Sequence, residues 1–200
     1  MKTCGIMLIY SYSQGIIILR KTAHVRHICG REVAMERIIK RVSKENYYLD
    51  IAQTVSERST CLRKRYGAII VKNDSIISTG YNGAPRGRAN CNEIGSCMRE
   101  KLQIPRGERY ELCRSVHSEA NAIIAAPRES MLGATLYMCC TDPDDGHVIG
   151  GTNSCMMCKR LIINAGISTV IIRENADTYT VIDTNSWIDD DDSLSGNMGY

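Results

Sequence analysis

The sequence predicts a three-layer α/β/α domain around a mixed sheet, and three observations predict it. One helical run precedes a hairpin, after which helices alternate with β-branched strands. The chain has 200 residues, enough for one domain with a sizeable core and not comfortably enough for two. Its apolar share of 44% and charged share of 24% are those of an ordinary globular chain.

The elements follow in chain order. Tyr48, Ile51, Ala52 and Val55 recur at helical spacing, so YYLDIAQTVSERS reads as an amphipathic helix just inside a main domain beginning near Glu45. GAIIVK (67–72) and SIISTG (75–80) are short β-branched runs joined at Asn73-Asp74, the pattern of a hairpin. Residues 83–112, rich in Gly, Pro, Arg and Cys, show no period and are expected to form a long, pinned insertion. SEANAIIAA (118–126) reads as a buried helix and ATLYMCCT (134–141) as a buried strand. After the loop DPDDGHVIGGTN come a helix over 155–166, closed by Gly166, and a strand at STVIIR (168–173).

Residues outside 45–185 are expected to differ from the domain. The opening MKTCGIMLIYSYSQGIIILR has apolar runs broken by SYSQG and no small-residue cleavage pattern, so it reads as neither export signal nor membrane span. With the basic stretch that follows, it makes residues 1–44 an N-terminal extension, partly helical and partly disordered. His24, His27 and Cys29 belong to that solvated arm. Residues 186–200, with Asp189 to Asp192 in a row, are expected to be an acidic disordered tail.

Composition then narrows the function. A net charge of +3 is too small for a dedicated nucleic-acid binder. Ten cysteines without an export signal point to a cytoplasmic chain whose paired thiols bind metal instead of forming disulfides.

Two short stretches carry the chemistry. In CRSVHSEANAII, His117 and Glu119 stand two apart where a helix begins; in SCMMCKR, Cys155 and Cys158 stand three apart where another begins. Thiols three apart share a helix face and can reach one ion, and the helix N-terminus favours their thiolate forms. Ser154 is expected to be the N-cap there. His117 supplies a third ligand, leaving a fourth zinc position for water, and Glu119 stays free to carry protons. Alone, a Cys-x-x-Cys is commonly a pair of small core residues and a histidine commonly structural. It is the combination that points to catalysis.

HxE followed by CxxC, together with CLRKRYGAIIV (61–71), IISTGYNGAPRG (76–87), GERYELCRSVHSEANAI (107–123) and CKRLIINAGI (158–167), resembles the cytidine and deoxycytidylate (dCMP) deaminase family. The resemblance implies a cytidine-deaminase-like fold with a mixed five-stranded sheet, and conversion of dCMP to dUMP and ammonia for dTMP supply. It implies zinc on His117, Cys155 and Cys158, with Glu119 passing protons to N3 and to the departing ammonia. Asn82 would contact the sugar, and Arg63 and Arg65 the 5′-phosphate. Ser154 replaces the family's usual proline, but its carbonyl would still accept from the substrate amino group. The family is often hexameric, activated by dCTP and inhibited by dTTP.

Cys61, Cys91, Cys97 and Cys113 bracket the insertion and suit a second, structural zinc. Cys61 and Cys91 match second-zinc ligands of phage relatives, while Cys97 and Cys113 follow from the chemistry alone. His147, in a loop longer than in many relatives, reads as a surface residue. Two rival functions remain at this point. One is deamination of another cytosine nucleotide or nucleoside. The other is a zinc-stabilised nucleic-acid-binding module using the basic residues 20–43.

Overall fold

The computed structural model describes residues 10–13, 16–19, 41–105 and 107–190. The chain divides into two units, residues 1–40 and 41–200. In the first, β1 (Tyr10–Ser13) and β2 (Ile16–Leu19) pair antiparallel, Tyr10 opposite Leu19. The helix and disorder expected elsewhere in the extension, and His24, His27, Cys29 and Cys4, lie outside the described residues.

The second unit opens with α1 (Lys44–Ser56), whose first turn is capped by the Ser43 hydroxyl accepting from the Asn46 N–H. Next come β3 (Arg65–Lys72) and β4 (Ser75–Tyr81). Their two-residue turn places Asn73 at φ 49° and Asp74 at φ 64°, the left-handed pair that a tight hairpin requires. The insertion holds α2 (Cys91–Ile94), α3 (Met98–Lys101) and a 3₁₀ turn at Tyr110–Leu112. Then follow α4 (Ser118–Ile124), α5 (Arg128–Met131), β5 (Thr135–Thr141), α6 (Met156–Ala165), β6 (Thr169–Arg173), β7 (Tyr179–Asp183) and α7 (Ser186–Asp189).

The five strands lie in the order β4-β3-β5-β6-β7, with β5 and β6 parallel and the other pairs antiparallel, so the sheet is mixed as expected. Strand alternation splits its side chains between two faces. On one, Ile69, Val71, Tyr137, Cys139 and Ile171 meet Tyr48, Leu49 and Ala52 of α1. On the other, Ala68, Ile70, Leu136, Met138, Val170 and Ile172 meet Ala122 of α4 and Ile162 and Ala165 of α6. Full burial of each large aliphatic contributes roughly 1.5–3 kcal/mol.

Two glycines set how close the helices come. A Cβ on Gly67 would lie 2.0 Å from the Ala52 carbonyl oxygen of α1, and one on Gly80 2.3 Å from the Ser118 carbonyl oxygen of α4. Each helix therefore rests its backbone directly on a strand. Gly166, at φ 77°, ends α6 in the left-handed conformation as its sequence position predicted.

One element was not read from the sequence, and one expectation changes. Strand β7 has no continuous buried run, because it is a sheet edge with its side chains mostly half or fully exposed, and its sequence carries little signal. Residues 186–189, expected in the disordered tail, form α7, and Trp187 packs onto the α4/α6 side of the core. Residues 191–200 lie outside the described residues. Among the described residues no helix is long and apolar enough to cross a membrane.

Candidate active site

Topology brings the two motifs together. β4 and β5 flank β3 and both run antiparallel to it, so their C-terminal ends leave at the same end of the sheet, beside the start of β3. The insertion after β4 returns through a bridge in which Gly83 and Val116 exchange backbone hydrogen bonds at 3.2 and 2.8 Å, which sets His117 beside the strand it left. Asn121 Nδ2 donates to the Tyr81 carbonyl at 2.7 Å and the Ser78 hydroxyl to the Ala122 carbonyl at 2.7 Å, locking α4 onto β4. His117 and Cys155 are the N-cap residues of α4 and α6. Ser154, expected as the cap of α6, instead lies one residue before it. It is fully buried and its Oγ has no hydrogen-bond partner.

His117 Nδ1 lies 3.3 Å from Cys155 Sγ and 3.5 Å from Cys158 Sγ, and the three atoms lie within 4.8 Å of one another. A tetrahedral zinc with ordinary bond lengths would hold its nitrogen and sulfur ligands about 3.5 Å apart, so the donor set and its spacing fit that ion. Without metal, the three groups shift one another through their mutual contacts. Cys155 is pulled down to about 4, chiefly by the hydrogen bond from Cys158, with His117 adding to the effect. Cys158 is pushed up by the same bond and by burial, and so acts as the donor. Burial pushes the His117 imidazole down, but hydrogen bonds to Cys113 and Cys155 and the Glu119 charge outweigh it and raise it to about 10.

Glu119, in the first turn of α4, is 4% exposed, and its Oε2 accepts from the Ser118 hydroxyl at 2.9 Å. It opens with His117 and Cys155 onto a cavity of about 220 Å³ whose wall includes Arg63, Tyr66 and Asn82. Asn82 has structural work there. Its Oδ1 accepts from the Tyr66 N–H at 2.8 Å and from the Ser59 hydroxyl, and its Nδ2 donates to the Lys64 carbonyl at 3.0 Å.

The arginine pair separates. Arg63 lines the cavity and its Nε pairs with Glu100 at 3.3 Å. Arg65 is the first residue of β3. Alternation gives the cavity side to its neighbour Tyr66, so Arg65 does not join the lining.

Cys61, Cys97 and Cys113 share the cavity wall, and Cys91 lies buried within electrostatic reach of all three. Among the described residues, no three of these sulfurs lie within 4.8 Å of one another. Burial raises the Cys91 thiol, whereas Cys113 is lowered despite burial, because it hydrogen-bonds to His117. Cys139 and Cys140 are core thiols, raised by burial to about 12 and about 11. His147 is an exposed loop residue, as expected, near Asp142 and Asp145.

Sequence reasoning passed over Arg99 and Tyr110. Tyr110 meets the His117 ring edge-on at 5.3 Å, and Arg99 Cζ sits 4.3 Å above the Tyr110 ring. Neither stands in a periodic segment, so no pattern pointed to them.

The cytidine and deoxycytidylate deaminase zinc-binding region matches residues 42–174. A deoxycytidylate deaminase of Schizosaccharomyces pombe is 33% identical over 70% of this chain and 40% of its own length. One from Mycobacterium phage D29 is 35% identical over 66% of this chain and 96% of its own. The chain thus spans less than half of the yeast protein and almost all of the phage one. A dCMP deaminase of the cyanophage S-TIM5 has a crystal structure that is 29% identical, with a TM-score of 0.46, over 66% of this chain and 84% of that one. With two thirds of its length matched by the family's zinc-binding region, the chain belongs to the cytidine and deoxycytidylate deaminase family.

Proposed function

We propose that this protein is a zinc-dependent hydrolase that converts dCMP to dUMP and ammonia, supplying the precursor of dTMP in the cytoplasm. One observation carries the reading: His117, Cys155 and Cys158 meet at zinc-ligand spacing in the same cleft as a buried carboxylate outside the ligand set. The deoxycytidylate deaminases of S. pombe and phage D29 support the choice of substrate.

Zinc bound on those three side chains would supply Lewis acidity and a water acidic enough to be a nucleophile near neutral pH. The protein's own part is proton handling and positioning. Ser118 holds Glu119 Oε2, so Glu119 can take one proton from the attacking water at Oε1 and deliver it to N3 of the ring. It then carries the second from the added hydroxyl to the amino group, which leaves as ammonia as the C4 carbonyl forms. Its burial keeps bulk water from competing for that proton. The Ser154 carbonyl is the proposed acceptor for the substrate amino group, and Asn82 the sugar contact. Of the two arginines expected at the phosphate, Arg63 lines the cavity and Arg65 does not.

The reading extends to a homo-oligomer, a hexamer by family resemblance, that responds to dCTP and dTTP. It also extends to a structural zinc on Cys61, Cys91, Cys97 and Cys113, whose sulfurs would have to draw closer together to share one ion. Ammonia release from dCMP, CMP, deoxycytidine and cytosine tests the function. dCMP is expected to turn over fastest, and absence of turnover with any of the four would sink the proposal.

A further inference from the structure

The cleft contains a cation that the deamination chemistry does not use. Arg99, on α3 of the insertion, is 4% exposed and lines the same cavity as His117 and Glu119. Its Nη2 donates to the Pro105 carbonyl at 2.8 Å, and its guanidinium lies over the Tyr110 ring. Its Nη1 is buried with no hydrogen-bond partner. Among the described residues no carboxylate pairs with it, and the adjacent Glu100 is turned to Arg63.

A buried guanidinium with an open donor carries a desolvation cost that one carbonyl and one ring face offset only in part. An anion entering the cleft would offset it, and a planar fork held by a carbonyl on one side and a ring beneath is already aimed. Arg63 is less suited, because its side chain is 37% exposed and Glu100 already holds it. Arg99 and His117 both touch the Tyr110 ring, so an anion at one and a reacting base at the other would be separated on the scale of a single nucleoside.

We propose that Arg99 is the residue that reads the 5′-phosphate of a nucleoside monophosphate in this cleft, and so sets the preference for nucleotide over nucleoside. The assignment builds on the deaminase reading but is tested by binding, which needs no turnover. dUMP and deoxyuridine are titrated into the zinc-loaded wild type, Arg99→Gln and Arg63→Gln by calorimetry, alongside ammonia release from dCMP and deoxycytidine. Wild type is expected to prefer dUMP by about 30-fold or more, a preference that Arg99→Gln cuts by about 10- to 100-fold and Arg63→Gln by no more than about threefold.

A preference that survives Arg99→Gln, or that Arg63→Gln removes instead, overturns the proposal. A wild type that shows the Arg99-dependent preference yet releases no ammonia would sink the deaminase reading and leave Arg99 in place. If Arg99→Gln does not fold, Arg99→Lys replaces it. A lysine cannot hold both the Pro105 carbonyl and a phosphate as a fork, so a loss of about tenfold in preference is expected, and an unchanged preference overturns the assignment.

Discussion

Helix α4 and the 83–112 insertion face each other across one cleft, yet they are held in place by different means. α4 lies so close to β4 that Gly80 has no room for a Cβ, and Ser78 and Asn121 fasten the contact with hydrogen bonds between strand and helix. The insertion is built from four-residue helices and a single 3₁₀ turn, with a buried guanidinium that lacks one partner. Its glycines at 87 and 95 adopt positive φ, and a methyl group at either would meet nothing within 4 Å, so no neighbour presses on them. The difference teaches which part can be rigid. The proposed ligands and proton carrier sit where backbone meets backbone, while the opposite wall of the cleft keeps unused bonding capacity.

The largest test of this contrast removes the proton carrier without touching the frame. Glu119→Gln keeps shape, and its deamination rate is expected to fall by about 1,000-fold or more while bound zinc and the melting temperature stay close to wild type. A rate within about tenfold of wild type would remove Glu119 from the chemistry.

Next come the two glycines. Gly80→Ala drives a methyl group into the α4 backbone and should cost about 3 kcal/mol or more, lowering Tm by roughly 6–12 °C. Gly87→Ala, with φ 83° and open space, should cost only about 1 kcal/mol of backbone strain, roughly 2–4 °C. Thermal melts by circular dichroism compare them, and equal losses would erase the distinction between frame and insertion.

Metal counting sharpens the comparison further. Wild type is expected to carry two zinc ions per chain by elemental analysis and Cys91→Ser one, with the remaining ion lost only when Cys155 or Cys158 is also replaced. One ion in both wild type and Cys91→Ser would confine metal to the α4/α6 side.

The smallest effect lies far from the cleft. Asp74 in the hairpin turn is held below its usual range by the Lys44 and Tyr48 hydrogen bonds. A depressed carboxylate contributes stability that is present above its unfolded value, near 3.8, and is lost as pH falls through its folded value. Asp74→Asn keeps a residue type suited to the left-handed turn, so it should lower Tm by a few degrees at most at about pH 6, and the difference from wild type should shrink toward about pH 2. A difference that grows on acidification would reverse the sign.

Legibility followed the same division as rigidity. Helix α1, the hairpin and the buried strand β5 repeat with periods that a linear reading detects, so each stands where its pattern placed it. The cap of α6 was misplaced by one residue, since Ser154 is a better cap by type than Cys155 but is taken into the core. Arg65 looked equivalent to Arg63 until strand alternation turned it away from the cleft. Trp187 looked like part of an acidic tail, and only packing against the α4/α6 face shows what its ring is for.

By itself the sequence determined the layered α/β class and the identity of three metal-type side chains with a carboxylate beside them, because periodicity and ligand chemistry are local properties. Tertiary structure alone decided that the two motifs share one end of the sheet, since that depends on β4 and β5 both running against β3. It alone decided, too, that Arg99 and not Arg65 stands in the cleft. Which charge is buried is set by what folds over it, and that information is spread across segments far apart in the chain.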